Sequence, residues 1–191
     1  MLFTSEDIEK YISGIILFDE TFHQSELSSG MKFPEYLTSK NILPGIKVDQ
    51  GLEDFSPYEK LTIGLDGLSE RLEKYYSLGA KFAKWRAVIT PGDSIPTDDC
   101  ILANAKSLAK YAKKCQQANL VPIVEPEVLM DGAHTIGESF DITSRTLNMV
   151  FDQLNEHDVD LQGIVLKPNM ILSGYECSYQ ASIEEVAEKT V

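Results

Sequence analysis

Charged residues interrupt four short apolar runs, and they do so at matching places. The runs are PGIKVD (44–49), AKFAKWRAVI (80–89), VPIVEPEVL (121–129) and GIVLKPNM (163–170). The charges are Lys47, Lys84 with Arg86, Glu125 with Glu127, and Lys167. A buried parallel strand normally reads as an unbroken Val/Ile/Leu run. Lys and Glu are almost never fully buried unless paired. Taken alone, Lys47 reads as a surface residue, and the two glutamates read as a solvated strand end. Taken as a repeated set, they read as a site.

The set defines its own chemistry. Four cations (Lys47, Lys84, Arg86, Lys167) and three carboxylates (Asp49, Glu125, Glu127) would line one mouth, a local sum of about +1. The whole chain carries a formal net charge of −13. A positive pocket in an acidic protein suits an anionic small molecule, most simply a phosphate ester. A lysine held in an apolar strand beside other cations gives up its proton more readily. The free amine is a nucleophile towards a carbonyl. A nearby glutamate can shuttle protons as the carbinolamine forms and dehydrates. These residues therefore predict a Schiff-base enzyme acting on phosphorylated sugars.

The elements that position the set alternate. Helices are expected at 5–13, 34–40, 65–79, 98–120, 139–159 and 182–191, and strands at 14–20, 44–49, 80–89, 121–129 and 163–170. Segment 52–63 reads as a link. Strand–helix alternation means a parallel sheet. Lys47, Lys84, Glu125 and Lys167 follow one another at 37, 41 and 42 positions, one βα unit each. That spacing suits a TIM barrel or a doubly wound sheet, with sites at the C-terminal strand ends in both. The period of two sorts the faces. Lys84 and Arg86 oppose Trp85; Lys167 and Asn169 oppose Leu166; Lys47 and Asp49 oppose Ile46; Glu125 and Glu127 share a face. Polar residues inside and apolar residues under helices favour the barrel.

Composition narrows the partners. The chain has 191 residues, 43% of them hydrophobic, enough for one domain with a sizeable core. Its acidity, with a pI of about 4.6, argues against nucleic acid and anionic membranes. No apolar run approaches a membrane span, and the start lacks a signal-peptide pattern. Cys100, Cys115 and Cys177 have no motif spacing and read as reduced cytosolic thiols, so a cytoplasmic protein is expected. Cys115 is assigned to the core. His23, His134 and His157 are scattered, so no metal site is expected. Tyr75, Tyr76 and Trp85 read as packing. The lysines from Lys106 to Lys114 read as a solvated helix face.

GIKVDQG, GLDGLSERLEKYYSLGAKFAKWR, ANAKSLAKYAKKCQQANLVPIVEPEVLMDG and GIVLKPNM resemble class I fructose-bisphosphate aldolase, the Schiff-base type. The resemblance implies a TIM barrel, a homotetramer, a glycolytic role and no metal or other cofactor. It implies that Lys167 is the Schiff-base lysine and Glu125 the acid/base residue. Glu127 and Lys84 would position and tune it, while Lys47 and Arg86 would help hold the phosphorylated sugar. The family's first strand, with its cleavage aspartate, and its last two strands have no counterpart here. DET (19–21) falls in the second strand, where Asp19 has no such role. The expectation is a single aldolase-type domain over 1–191, an incomplete barrel of about five parallel strands with flanking helices. Two functions follow: an aldolase cleaving fructose 1,6-bisphosphate, or a truncated, non-catalytic aldolase-like protein or fragment acting as a binding module.

Overall fold

The computed structural model describes residues 4–191. Five strands form one parallel sheet: β1 (Gly14–Leu17), β2 (Leu43–Lys47), β5 (Phe82–Ile89), β6 (Val121–Val128) and β7 (Val165–Leu166). Their spatial order, β1-β2-β5-β6-β7, is their order along the chain. A doubly wound sheet reverses its order at a switch point. This one never does, so its helices cover one face, as in a barrel wall. β3 (Leu52–Ser56) and β4 (Glu59–Thr62) form a separate antiparallel hairpin.

The helices are α1 (Asp19–Phe22), α2 (Phe33–Ser39), α3 (Leu68–Ser77), α4 (Asp98–Gln117), α5 (Ile136–Glu156) and α6 (Ile183–Thr190). Ile46, Ala83, Trp85 and Val124 on the sheet's outer face are fully buried with Leu72 of α3, Leu108 and Ala112 of α4, and Leu154 of α5. Trp85 lies against Tyr111, with ring centroids 5.5 Å apart. The Tyr111 hydroxyl donates to the Ala83 carbonyl at 2.7 Å, so its burial leaves no orphan polar atom. Burial pushes the Cys115 thiol far above its usual range and that of Cys100 up to about 12, which makes both unreactive.

On the inner face the lower layer is apolar. The Phe82 ring lies across β2 and β1. A side chain at Gly45 would meet it at 2.2 Å, and one at Gly14 at 3.2 Å. Both glycines are there because the ring occupies their Cβ space. Above this ring the charged residues begin.

The element bounds depart from the sequence pattern in several places. Segment 5–13 holds only a 3-10 turn over Ile8–Lys10, with no buried residue and a left-handed Asp7 before it. Short helices need a packed face, and here only Ile8 sits half-buried against the core. β1 ends at Leu17, and Asp19 opens a helix instead of continuing the strand. β7 is two residues long, since Pro168 cannot join a ladder. α5 starts three residues earlier than expected, at a Thr135/Glu138 capping box. Of the α4 lysines, Lys113 and Lys114 are tethers, donating to the Asp158 carbonyl at 2.6 Å and to Ser69 Oγ at 2.8 Å. Tyr75 packs, whereas Tyr76 is exposed.

The link 52–63 is the largest miss. Its hairpin is pinned by Glu59, which is only 2% exposed. The Glu59 carboxylate accepts from Thr97 N at 2.7 Å, from the Thr97 hydroxyl at 3.0 Å and from Ser56 Oγ at 2.9 Å. Thr97 is the N-cap of α4, so one carboxylate joins the hairpin to the start of that helix. Burial alone would raise the Glu59 carboxyl, but these hydrogen bonds outweigh it and hold the group below its usual range.

A depressed folded-state value means that the ionised group favours the fold. The contribution is complete above the unfolded value and is lost as pH falls through the folded one. Glu59→Gln should therefore lower stability by roughly 1–3 kcal/mol at pH 7, because it puts an amide opposite buried donors. The gap between variant and parent should narrow on acidification below about pH 4. Urea unfolding at stepped pH measures both.

Candidate functional site

The side-chain period puts Lys47 and Asp49, Lys84 and Arg86, Glu125 and Glu127, and Lys167 on the inner face, around the strands' C-terminal ends. In the register, Lys84 faces Ile123 and Arg86 faces Glu125. Each cation instead reaches the carboxylate two residues further along β6. Lys84 Nζ lies 2.6 Å from Glu125 Oε2, and Arg86 Nη1 donates to Glu127 Oε2 at 2.8 Å. From the other side, Lys167 Nζ donates to Glu125 Oε1 at 2.6 Å. Glu125 is thus held between two lysines from neighbouring strands.

Burial grades across this trio. The Glu125 side chain is 4% exposed and that of Lys84 17%, whereas Lys167 is 58% exposed. The reason is topological, since β7 is the sheet's last strand and pairs only with β6 among the described residues. Lys47 is on β2, in register with Lys84, and makes a short ion pair with Asp49. Its ammonium sits 5.9 Å from the centre of the Phe18 ring. Lys47 therefore flanks the trio without joining it.

This pairing locates the surplus charge. Lys47 has Asp49 and Arg86 has Glu127, so each of those pairs is neutral. Lys84 and Lys167 share one carboxylate, and the excess positive charge of the mouth therefore rests on them. A cavity of about 430 Å³ opens at this place, lined by Arg86, Glu127, Lys167, Asn169 and Tyr175 among others.

Lys167 meets the Glu125 carboxylate directly, and Lys84 reaches the same carboxylate from β5. Two expectations are corrected. Glu127 was grouped with Lys84 as a partner of Glu125, but it pairs with Arg86. Asn169 was placed on the Lys167 face, but its side chain bonds Val128 N and Thr143 of α5. Asp19, given no role in the site, accepts from the Tyr75 hydroxyl of α3 at 2.6 Å. Burial, with that carboxylate beside it, pushes the Tyr75 hydroxyl up to about 12.

Supporting residues were also missed. Arg71 of α3 donates to the Val48 carbonyl at 2.9 Å and to the Gly64 carbonyl, fixing the end of β2 just after Lys47. Thr62 donates to the Arg86 carbonyl at 2.9 Å, tying the hairpin to β5 at the charged layer. No sequence signal marks either, since both act on backbone carbonyls. Among the described residues, no three His, Cys, Asp or Glu side chains come together as metal ligands.

Comparison with known proteins agrees with this geometry. The profile of the family "Fructose-bisphosphate aldolase class-I" matches residues 1–191. The chain belongs to this family. It is 53% identical over its whole length to the "Probable fructose-bisphosphate aldolase class 1" of Xanthomonas axonopodis pv. citri, covering 58% of that protein. It is 50% identical to "Fructose-bisphosphate aldolase 1" of Toxoplasma gondii, covering 53%. A solved structure of Plasmodium falciparum fructose-bisphosphate aldolase, in complex with TRAP and a small molecule inhibitor, superposes with a TM-score of 0.94 at 46% identity. That match takes in 98% of this chain and 55% of the other. The chain therefore spans little more than half the length of the relatives it matches. Its five-stranded sheet is an incomplete version of the family's TIM barrel.

Within this aldolase-family sheet, Lys84 is the partner that keeps Glu125 charged-paired where water cannot reach. Lys84→Met should cost about 1–3 kcal/mol of unfolding free energy, because the buried carboxylate is left with one half-exposed cation. Arg86→Met, at a more exposed pair, should cost under about 1 kcal/mol. Urea titration of the two variants side by side checks the order.

Proposed function

We propose that this chain carries the Schiff-base site of a class I fructose-bisphosphate aldolase, with Lys167 as nucleophile and Glu125 as the proton-transfer group. The observation that supports it most is the placing of Lys167 Nζ and Lys84 Nζ at 2.6 Å from the two oxygens of one buried carboxylate. Before it can attack, Lys167 must release a proton, and Glu125 Oε1 is the acceptor in reach. The amine then adds to the ketose carbonyl of fructose 1,6-bisphosphate. Glu125 returns a proton to the carbinolamine oxygen, which leaves as water and gives the iminium. Loss of the C4 hydroxyl proton to solvent, with cleavage of the C3–C4 bond, releases glyceraldehyde 3-phosphate and leaves an enamine on Lys167. Protonation and hydrolysis then free dihydroxyacetone phosphate and the amine. Lys84 holds the second oxygen of Glu125 throughout.

Arg86, Glu127 and Lys47 surround this centre and suit the phosphorylated sugar. Arg86 is available in part, since its guanidinium is 43% exposed beside Glu127. The reading places the protein in the cytoplasm, as a homo-oligomer, with no metal requirement. In a metal-dependent aldolase the cation polarises the carbonyl; here the iminium does that work. No described helix is long and apolar enough to cross a membrane.

The second reading, a binding module with little turnover, is favoured by the 58% exposure of the Lys167 side chain. A Schiff-base lysine works best in a site that excludes water. The two readings separate in one assay. Incubation with dihydroxyacetone phosphate and borohydride should reduce the iminium to a stable secondary amine on Lys167, mapped by mass spectrometry. Lys167→Met should abolish the adduct, Glu125→Gln should slow it by about 10²-fold or more, and a chelator should leave it unchanged. Cleavage of fructose 1,6-bisphosphate by the 191-residue chain should stay well below ~10 per second. An adduct on another lysine, with Lys167 clean, would overturn the assignment.

A further inference from the structure

Lys167 stands just past a strand of two residues, and something must fix its backbone against β6. The last ladder bond is from Lys167 N to the Val124 carbonyl, at 2.9 Å. A parallel ladder would continue with residue 126 donating to the Lys167 carbonyl and residue 128 donating to the carbonyl of residue 169. Position 126 is a proline and has no N–H to give. Position 168 is also a proline, which turns the chain away.

The Asn169 side chain takes over where the ladder fails. Its Oδ1 accepts from Val128 N at 3.1 Å, the bond the backbone carbonyl of residue 169 would have taken. Its Nδ2 donates to Thr143 Oγ1 on α5 at 3.1 Å and to the Met170 carbonyl at 3.0 Å. The partners fix the carboxamide orientation, because Val128 N can only donate and the Met170 carbonyl can only accept. One side chain thus joins the end of β6, the turn after Lys167 and the helix behind both. Val128 is three residues from Glu125 on the same strand, and Asn169 is two residues from Lys167. The clamp closes the short path between the acid/base carboxylate and the amine.

We propose that Asn169 is a positioning residue that acts through Lys167, holding its amine on Glu125. This rests on the Schiff-base reading of the site. The test is the rate of borohydride trapping with dihydroxyacetone phosphate on the full chain. Asn169→Ala should lower the rate at saturating probe by about tenfold or more, as a misplacement on the ångström scale does. The half-saturating concentration should change little, since Asn169 holds the amine and not the sugar. Asn169→Asp keeps the acceptor for Val128 N and loses the donor, so it should fall between the two. That variant also guards against a fold lost in Asn169→Ala.

Trapping at the parent rate in both variants would overturn the proposal. If the parent chain itself shows no adduct on Lys167, the Schiff-base reading fails. Positioning is then decided by a double-mutant cycle of Asn169→Ala and Lys167→Met in urea unfolding. Coupling between the two supports it, and additive effects overturn it.

Discussion

The Glu125 carboxylate lies in the wall of the sheet at 3% exposure, and an unpaired charge cannot be kept there. It needs a cation on each side, and the two sources are the adjacent strands: Lys84 on β5 and Lys167 just past β7. That requirement constrains the whole inner face. A slip of one residue in β5 would turn Lys84 and Arg86 under the helices and put Trp85 into the mouth. Trp85 is fully buried against Tyr111, so the apolar and charged faces enforce the same register from opposite sides. The site is thereby part of what specifies the fold, and its cost in desolvation is offset by the packing behind it.

Below the charges, the Phe82 ring over Gly45 and Gly14 fills the inner layer. Above them, bonds to backbone hold the strand ends. Arg71 fixes the end of β2, Thr62 the middle of β5 and Asn169 the end of β6. Each comes from a different element, and each grips a main-chain group within two or three residues of a charged side chain. Charged side chains are flexible, and their precision comes from this outer shell.

Periodicity made the sheet readable. Strands β5 and β6 alternate charged and apolar residues so strictly that the faces, and the charged set that includes Lys84, Glu125 and Lys167, are legible in the sequence. What stayed hidden was specified by single contacts across long sequence separations. The hairpin of β3 and β4 hangs on buried Glu59, which looks like any surface glutamate until Thr97 is seen beside it. Segment 5–13 shows helix-like spacing but rests on the core through half-buried Ile8 alone. Partner choice among the charges was equally invisible. A period of two places Glu125 and Glu127 on one face, but the diagonal reach of Lys84 and Arg86 along the ladder decides which cation each receives. Asn169 was misplaced for a related reason, because the period ends where Pro168 ends the strand.

Unequal burial within the trio divides the labour. Lys84, mostly buried, cannot leave Glu125 without stranding a charge in the wall, so it serves as a fixed counter-ion. Lys167 is largely exposed and can turn from the carboxylate at small cost. Glu125 keeps one ion pair in either position. A symmetrical trio would lack this property. If both lysines were buried, neither could leave Glu125; if both were exposed, the carboxylate would be solvated. Pro126 and Pro168 stop the ladder beyond Lys167, whereas Lys84 lies within it. Where the ladder stops, the Asn169 side chain ties the turn after Lys167 to β6 and α5, so the backbone is held while the lysine side chain stays largely exposed.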